Sequence, residues 1–147
     1  MHVTDLAINR ALGMSLAPAG EDYLLEVPEA PLLLNHVGTI HASVQFALAE
    51  ACSGEFLLRQ LREPQAQVFA VLRNSEVKFR KPAHGALRAS ASFVKTESGI
   101  ELADGLLGPR GRALVSVLVI VRDAHSVTTL SGQFDWFLQR TQHASEA

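Results

Sequence analysis

Residues 42–62 read ASVQFALAEACSGEFLLRQLR, and the nature of this segment decides what the rest of the chain can be. It is mostly apolar, too long for one strand, and free of proline until Pro64 closes it. The spacing predicts one long helix. At 3.6 residues per turn Arg59 and Arg62 fall within about 40° of Glu55, which predicts a solvated edge, with Glu55 and Arg59 spaced as a helical ion pair. The rest of the circumference is nearly apolar. Such a helix cannot lie on a surface, so a sheet must wrap it or a second subunit must cover it.

Downstream of Pro64 the chain reads as strands to its end. QVFAVL (67–72) and SEVKF (75–79) stop at the RKPAHG turn (80–85). In LRASASFV (87–94), Leu87, Ala89, Ala91 and Phe93 share one face and Arg88, Ser90 and Ser92 the other, which predicts a half-buried strand. ALVSVLVIV (113–121) is apolar on both faces and predicts a central strand covered on both sides. After the DAHS turn, VTTLSGQFDWFL (127–138) reads as a last strand, with a polar, frayed tail over 139–147.

Upstream, Leu6, Ala11, Leu12 and Leu16 suggest a short amphipathic helix ended by Pro18 and Gly20. DYLLEVPE is a plausible first strand, and Pro31 with NHVGT makes an irregular loop. Strands that follow one another without intervening helices favour an antiparallel sheet. The expectation is an α+β layout in one domain over 1–147, built around one buried helix.

Composition bounds the function. The chain has 147 residues, 48% apolar and 19% charged, a globular balance that argues against disorder. A net charge of −2 disfavours a nucleic-acid binder relying on bulk positive charge, although a local basic patch could hold phosphates. The single cysteine, Cys52, excludes an intrachain disulfide and a cysteine-rich zinc site, and its apolar helical setting fits a small core residue. His2, His36, His125 and His143 lack metal-site spacing, and no metal or cofactor is expected. MHVTDLAINR carries an acid and an arginine where a secretory signal needs an apolar stretch, and the 113–121 run is about half the length of a spanning helix. The expectation is a cytoplasmic protein without a membrane span.

Glu50 breaks the pattern of the long helix. It lies about 140° from the Glu55 edge, among Phe46, Ala47, Gly54 and Leu57, with no Lys or Arg three or four residues away. Burying an unpaired carboxylate costs several kcal/mol, about 2–7 for a polar group lacking partners and more for an ion. The acid either has a function or is held by hydrogen bonds for structural reasons. The loop before the helix poses a similar choice. Gly38 permits unusual backbone shapes, and the N–H groups near Ala42 and Ser43 have no intrahelical partners, so they could receive an oxyanion. Ser43 could instead cap the helix, and Asn35 and His41 could be turn or surface residues. Ala42 and Glu50 are separated by about 12 Å along the helix. If both act on one substrate, the simplest arrangement is a twofold dimer in which Glu50 of one subunit faces the helix start of the other.

The stretch N-H-V-G-T-I-H-A-S-V-Q-F-A-L-A-E (35–50) resembles the signature segment of hotdog-fold acyl-CoA thioesterases, particularly the phenylacetyl-CoA and hydroxybenzoyl-CoA branch. There an Asn precedes a His by six residues, glycines often follow the His, and an acid comes nine residues after it. Asn35, His41 and Glu50 match in type and spacing, and FRKPAHG before an alternating strand and the final FDWFL extend the likeness over nearly the whole chain. The resemblance implies a hotdog fold with an antiparallel sheet around one central helix and a short N-terminal helix. It also implies a homodimer, or a tetramer built from it, with sites at the interface. It casts Glu50 as base or nucleophile, Ala42 as oxyanion donor, and Asn35 with His41 as orienters of water or carbonyl, in hydrolysis of an acyl-CoA to acid and CoA. Gly38, Ser43, Arg80, Lys81 and His84 are expected near the substrate. Arg73, Arg88, Arg110 and Arg112 are further candidates for CoA phosphates.

Two departures stand out. Ala42 and Ser43 occupy positions where glycines are common, and the Ser or Thr that positions water in some relatives is replaced by Leu72, with Asn74 and Ser75 nearby. The rival readings are a hotdog hydratase or dehydratase acting on acyl thioesters, and a non-catalytic binder of acyl-CoA.

Overall fold

The computed structural model describes residues 1–61, 64, 67–94 and 107–141. The long helix, α2, spans Ala42–Gln60, with α1 at Ala7–Ala11 and short 3-10 turns at Val3–Asp5 and Pro31–Leu33. Six strands follow the chain: β1 (Ser15–Leu16), β2 (Leu25–Val27), β3 (Val68–Phe79), β4 (Leu87–Phe93), β5 (Arg112–Arg122) and β6 (Thr128–Arg140). They form one sheet in the order β1-β2-β4-β5-β6-β3, every pair antiparallel. This is the expected α+β layout, a sheet folded around one long helix.

Register explains which faces are buried. Leu87 and Ala89 of β4, Val115, Val117, Val119 and Val121 of β5, and Leu130, Phe134 and Leu138 of β6 meet Val44, Leu48, Ala51, Cys52 and Leu57 of α2 in one core. Two ring pairs lie within it, Phe46 with Phe134 at 5.7 Å between centroids and Phe56 with Phe93 at 4.8 Å. Cys52 is fully buried, and burial pushes its thiol up to about 12, so it is an inert core residue.

The structure departs from the sequence expectations at several places. The first helix ends at Leu12 rather than near Pro18, because Gly13 turns the chain at φ 74° and Ser15–Leu16 then pairs with β2. QVFAVL and SEVKF are one strand, β3, with an irregularity between Leu72 and Asn74 that absorbs Arg73 into a bulge. β5 is central but covered on one side only, leaving Leu114 at 73% and Leu118 at 40% exposure, because α2 lies against a single face. Finally, Glu55 is not on a solvated edge. The first residues of the chain fold back over that side of α2 and leave its side chain 1% exposed. Its expected pairing with Arg59 is present, Nε to Oε1 at 3.1 Å, while Arg62 lies outside the described residues. Gln139 and Arg140 of the expected tail belong to β6, and 142–147 lie outside the described residues.

Candidate active site

The loop before α2 is organised by Asn35. Its Oδ1 accepts from the backbone N–H of Val37 and of Thr39, both at 3.0 Å, and its Nδ2 donates to Thr39 Oγ1 at 2.8 Å. Gly38 takes φ 78° at the tip, and Leu34 pairs with Ile40 across the base. Asn35 therefore shapes a tight turn that delivers His41 to the start of the helix.

His41 is the N-cap residue, at φ −60° and ψ 140°. Its Nδ1 accepts from Ser43 N–H at 3.0 Å and lies 2.6 Å from Ser43 Oγ. Accepting at Nδ1 places the proton of the neutral ring on Nε2. With the His41 carbonyl taking the N–H groups of Val44 and Gln45, and Ser43 N–H held by the ring, Ala42 N–H is left without an acceptor among the described residues. Ala42 and Ser43 are both exposed. A lone outward-facing N–H at a 19-residue helix's positive end can hold developing negative charge on an oxygen.

The turn after β3 docks beside this loop, since Ile40 N–H donates to the Ala83 carbonyl at 2.9 Å. Lys81 and His84 are exposed on that turn, and Arg80 Nε donates to Ser131 Oγ at 2.7 Å. Asp123 holds the turn from the other side by accepting from the N–H groups of His84, His125 and Val127. Burial opposes ionisation of Asp123, but those three donors outweigh it and hold the carboxyl below its usual range. The other cationic candidates are spread more widely. Arg73, Arg110 and Arg112 share one shallow hollow with Phe137, and Arg88 lies in another with Arg122.

Glu50 lies two turns into α2. It is half-buried, burial pushes its carboxyl above the usual range, and no donor reaches that carboxylate among the described residues. Phe46, Ala47, Gly54, Leu58 and Leu61 are half-buried with it, forming a stripe that the chain's own sheet leaves partly uncovered. Its backbone is pinned: Ser53 Oγ donates to the Glu50 carbonyl at 2.7 Å, and Trp136 Nε1 donates to Ser53 Oγ at 2.9 Å. Of the three β3 residues singled out in the sequence, Ser75 pairs with inward-facing Phe134 and Leu72 with Trp136, so both lie on the helix side. Asn74 donates to Asp135 on the opposite face.

Gln45 is a polar residue that the sequence reading passed over. It is 4% exposed in the first turns of α2, with Nε2 3.5 Å from the Ile40 carbonyl and Oε1 unpartnered among the described residues. Ser53 and Trp136 were also passed over, because their bond joins residues far apart in sequence. The described residues contain no cluster that could hold a metal ion, and no described helix is long and apolar enough to cross a membrane.

The fold is shared with several solved structures. A Pseudomonas aeruginosa protein of unknown function, called a probable thioesterase, superposes with a TM-score of 0.74 at 24% identity over 94% of this chain and 91% of that one. A thioesterase of Haemophilus influenzae does so with a TM-score of 0.71 at 14% identity, over 98% and 90% of the two chains. A Bacillus halodurans protein crystallised with CoA gives a TM-score of 0.67 at 22% identity, over 89% and 74%. The fold is thus the hotdog fold that these structures share. No curated protein matches the sequence. The profile of the family described as domain of unknown function DUF4442 matches residues 18–138, and the chain belongs to that family.

Proposed function

We propose that this protein is an acyl-CoA thioesterase whose site is completed by two chains. The observation that carries the reading is Glu50, a carboxylate raised by burial and left without a donor among the described residues on the half-buried stripe of α2. An acid in that state is a stronger base than a solvated one and gains from being shared with a reactant. The probable thioesterase among the similar structures and the one crystallised with CoA support the same chemistry.

In this reading the thioester carbonyl oxygen meets Ala42 N–H at the start of α2. Glu50 then takes a proton from water as the water adds to the carbonyl carbon, or attacks that carbon itself to give an anhydride that water opens. The tetrahedral oxyanion is held by Ala42 N–H, and collapse expels the CoA thiolate. His41 fixes the helix start and presents Nε2–H toward the substrate side. Ser75, half-buried on the helix side of β3, is the available hydroxyl for positioning water. Ala42 and Glu50 are about 12 Å apart along one helix, so the partner's Glu50 serves each helix start in a homodimer. The basic turn of Arg80, Lys81 and His84 lies beside the loop, where it can meet CoA phosphates.

A hydrolysis screen over short, medium, long and aromatic acyl-CoAs, with Glu50→Gln as control, tests this. Turnover of at least one class that the variant loses is expected. Equal rates in the two proteins would remove Glu50 from the chemistry.

A further inference from the structure

Beyond Glu50 the chain forms a half-open apolar cavity of about 150 Å³ between the C-terminal half of α2, edge strand β3 with its neighbour β6, and the first six residues. Its helix wall is Gly54, Leu57, Leu58 and Leu61. At 3.6 residues per turn these stand within about 80° of Glu50, and the nearest, Gly54, begins about 6 Å further along the helix. Carboxylate and cavity therefore share one face. At Gly54 a Cβ would lie 3.5 Å from Val3 Cγ1 and 3.6 Å from Trp136 Cζ2, in van der Waals contact with both, so even a methyl group there would take up space at this end.

The roof of the cavity is tied down. Met1, His2, Val3 and Leu6 form it, and Glu55 accepts from His2 Nδ1 at 2.9 Å and from Val3 N–H at 3.2 Å. Asn9 Nδ2 adds a bond to the Val3 carbonyl at 2.9 Å. Apart from the His2 ring the lining is aliphatic or aromatic, which suits a hydrocarbon and offers nothing to a polar ligand. A cavity of about 150 Å³ accepts one benzene ring, which corresponds to about six carbons.

We propose that this cavity receives the acyl tail of the thioester, about six carbons long, and that the roof held by Glu55 sets that limit. The inference rests on the acyl-thioester reading above and names its substrate class. A thioester carbon held between Glu50 and the partner's helix start would send its tail past Gly54 into the space under the roof.

Trp136, the single tryptophan, lines the cavity and reports its occupancy. The test titrates the full chain with S-hexyl-CoA and S-ethyl-CoA, thioethers that cannot be hydrolysed, and measures kcat/KM for acetyl-, hexanoyl- and dodecanoyl-CoA. S-hexyl-CoA is expected to shift Trp136 emission and S-ethyl-CoA to leave it in place, with hexanoyl-CoA at least tenfold preferred over both other esters. Ala70→Phe, which intrudes from the edge strand, should lower the hexanoyl-to-acetyl ratio at least tenfold. Gly54→Ala should move it the same way to a smaller extent, and His2→Ala should raise the dodecanoyl-to-hexanoyl ratio. Equal emission responses to the two thioethers, or an unchanged hexanoyl-to-acetyl ratio in both cavity variants, would overturn the proposal. An S-hexyl-CoA response without hydrolysis of any ester would leave the acyl cavity standing and remove the hydrolase. Hydrolysis without chain-length preference would do the reverse.

Discussion

Glu50 combines burial with the lack of a donor among the described residues, and each half of that description predicts something measurable. As the base, it must be ionised to act. The Glu50→Gln variant should lose about 10²- to 10⁴-fold in kcat, the usual contribution of a positioned base. In the wild type, kcat/KM should fall as pH drops through a value above that of an ordinary carboxylate. The stability sign runs the other way. Burial penalises the charged form, so the folded state binds the proton more tightly than the unfolded one, and stability is lost as pH rises through the raised value. Glu50→Gln should therefore melt higher than the wild type at pH 7, with the gap closing below the normal carboxylate range, as followed by calorimetry. This acid was legible because positions 46, 47, 53 and 54 hold no base. Gln45 would have yielded to the same inspection, since Leu48 and Ala49 are its helical neighbours. What His41 does with its ring was not legible, because a capping bond depends on a rotamer and not on spacing.

At the scale of elements, Glu55 shows where periodicity stops informing. Its angular position beside Arg59 suggested water, yet a segment more than fifty residues away in sequence covers it. Nothing in the helix itself encodes that return. Burial disfavours the charge of Glu55, but donors from His2, Val3 N–H and Arg59 outweigh it and hold the carboxyl below its usual range. A depressed value stabilises the fold above the unfolded-state pKa, and that stabilisation is lost as pH falls through the folded-state one. Glu55→Gln should cost about 1.5–3 kcal/mol at pH 7, the scale of hydrogen bonds to a charged group. Urea unfolding should show the deficit shrinking as the pH is taken below the carboxylate range. A constant deficit would mean that packing rather than charge holds the roof. The strands were more legible than this contact, because alternation in LRASASFV directly reports a face. The bulge in β3 was hidden, since Arg73 is an ordinary strand residue until Phe137 is seen beneath its guanidinium, 5.7 Å away.

For the whole molecule, the question is whether one chain suffices for a site. The half-buried stripe of α2, the exposed Phe69 and Phe79 on edge strand β3, and the 12 Å between helix start and acid all favour a second copy. Ala42→Pro offers a clean removal of the oxyanion donor. Position 42 is the first residue of the helix, where proline fits, and His41 already has the extended backbone that a following proline requires. Ala42→Pro and Glu50→Gln should each be inactive alone. In the proposed dimer each site takes Ala42 from one chain and Glu50 from the other. A mixed dimer then contains one intact site, formed by the Ala42 of the Glu50→Gln chain and the Glu50 of the Ala42→Pro chain, and one site lacking both groups. Co-refolding the two variants in equal amounts gives mixed dimers in about half the population, so about a quarter of wild-type activity should return. If both groups of a site came from the same chain, every site in the mixture would lack one of them, and no activity would return at any ratio.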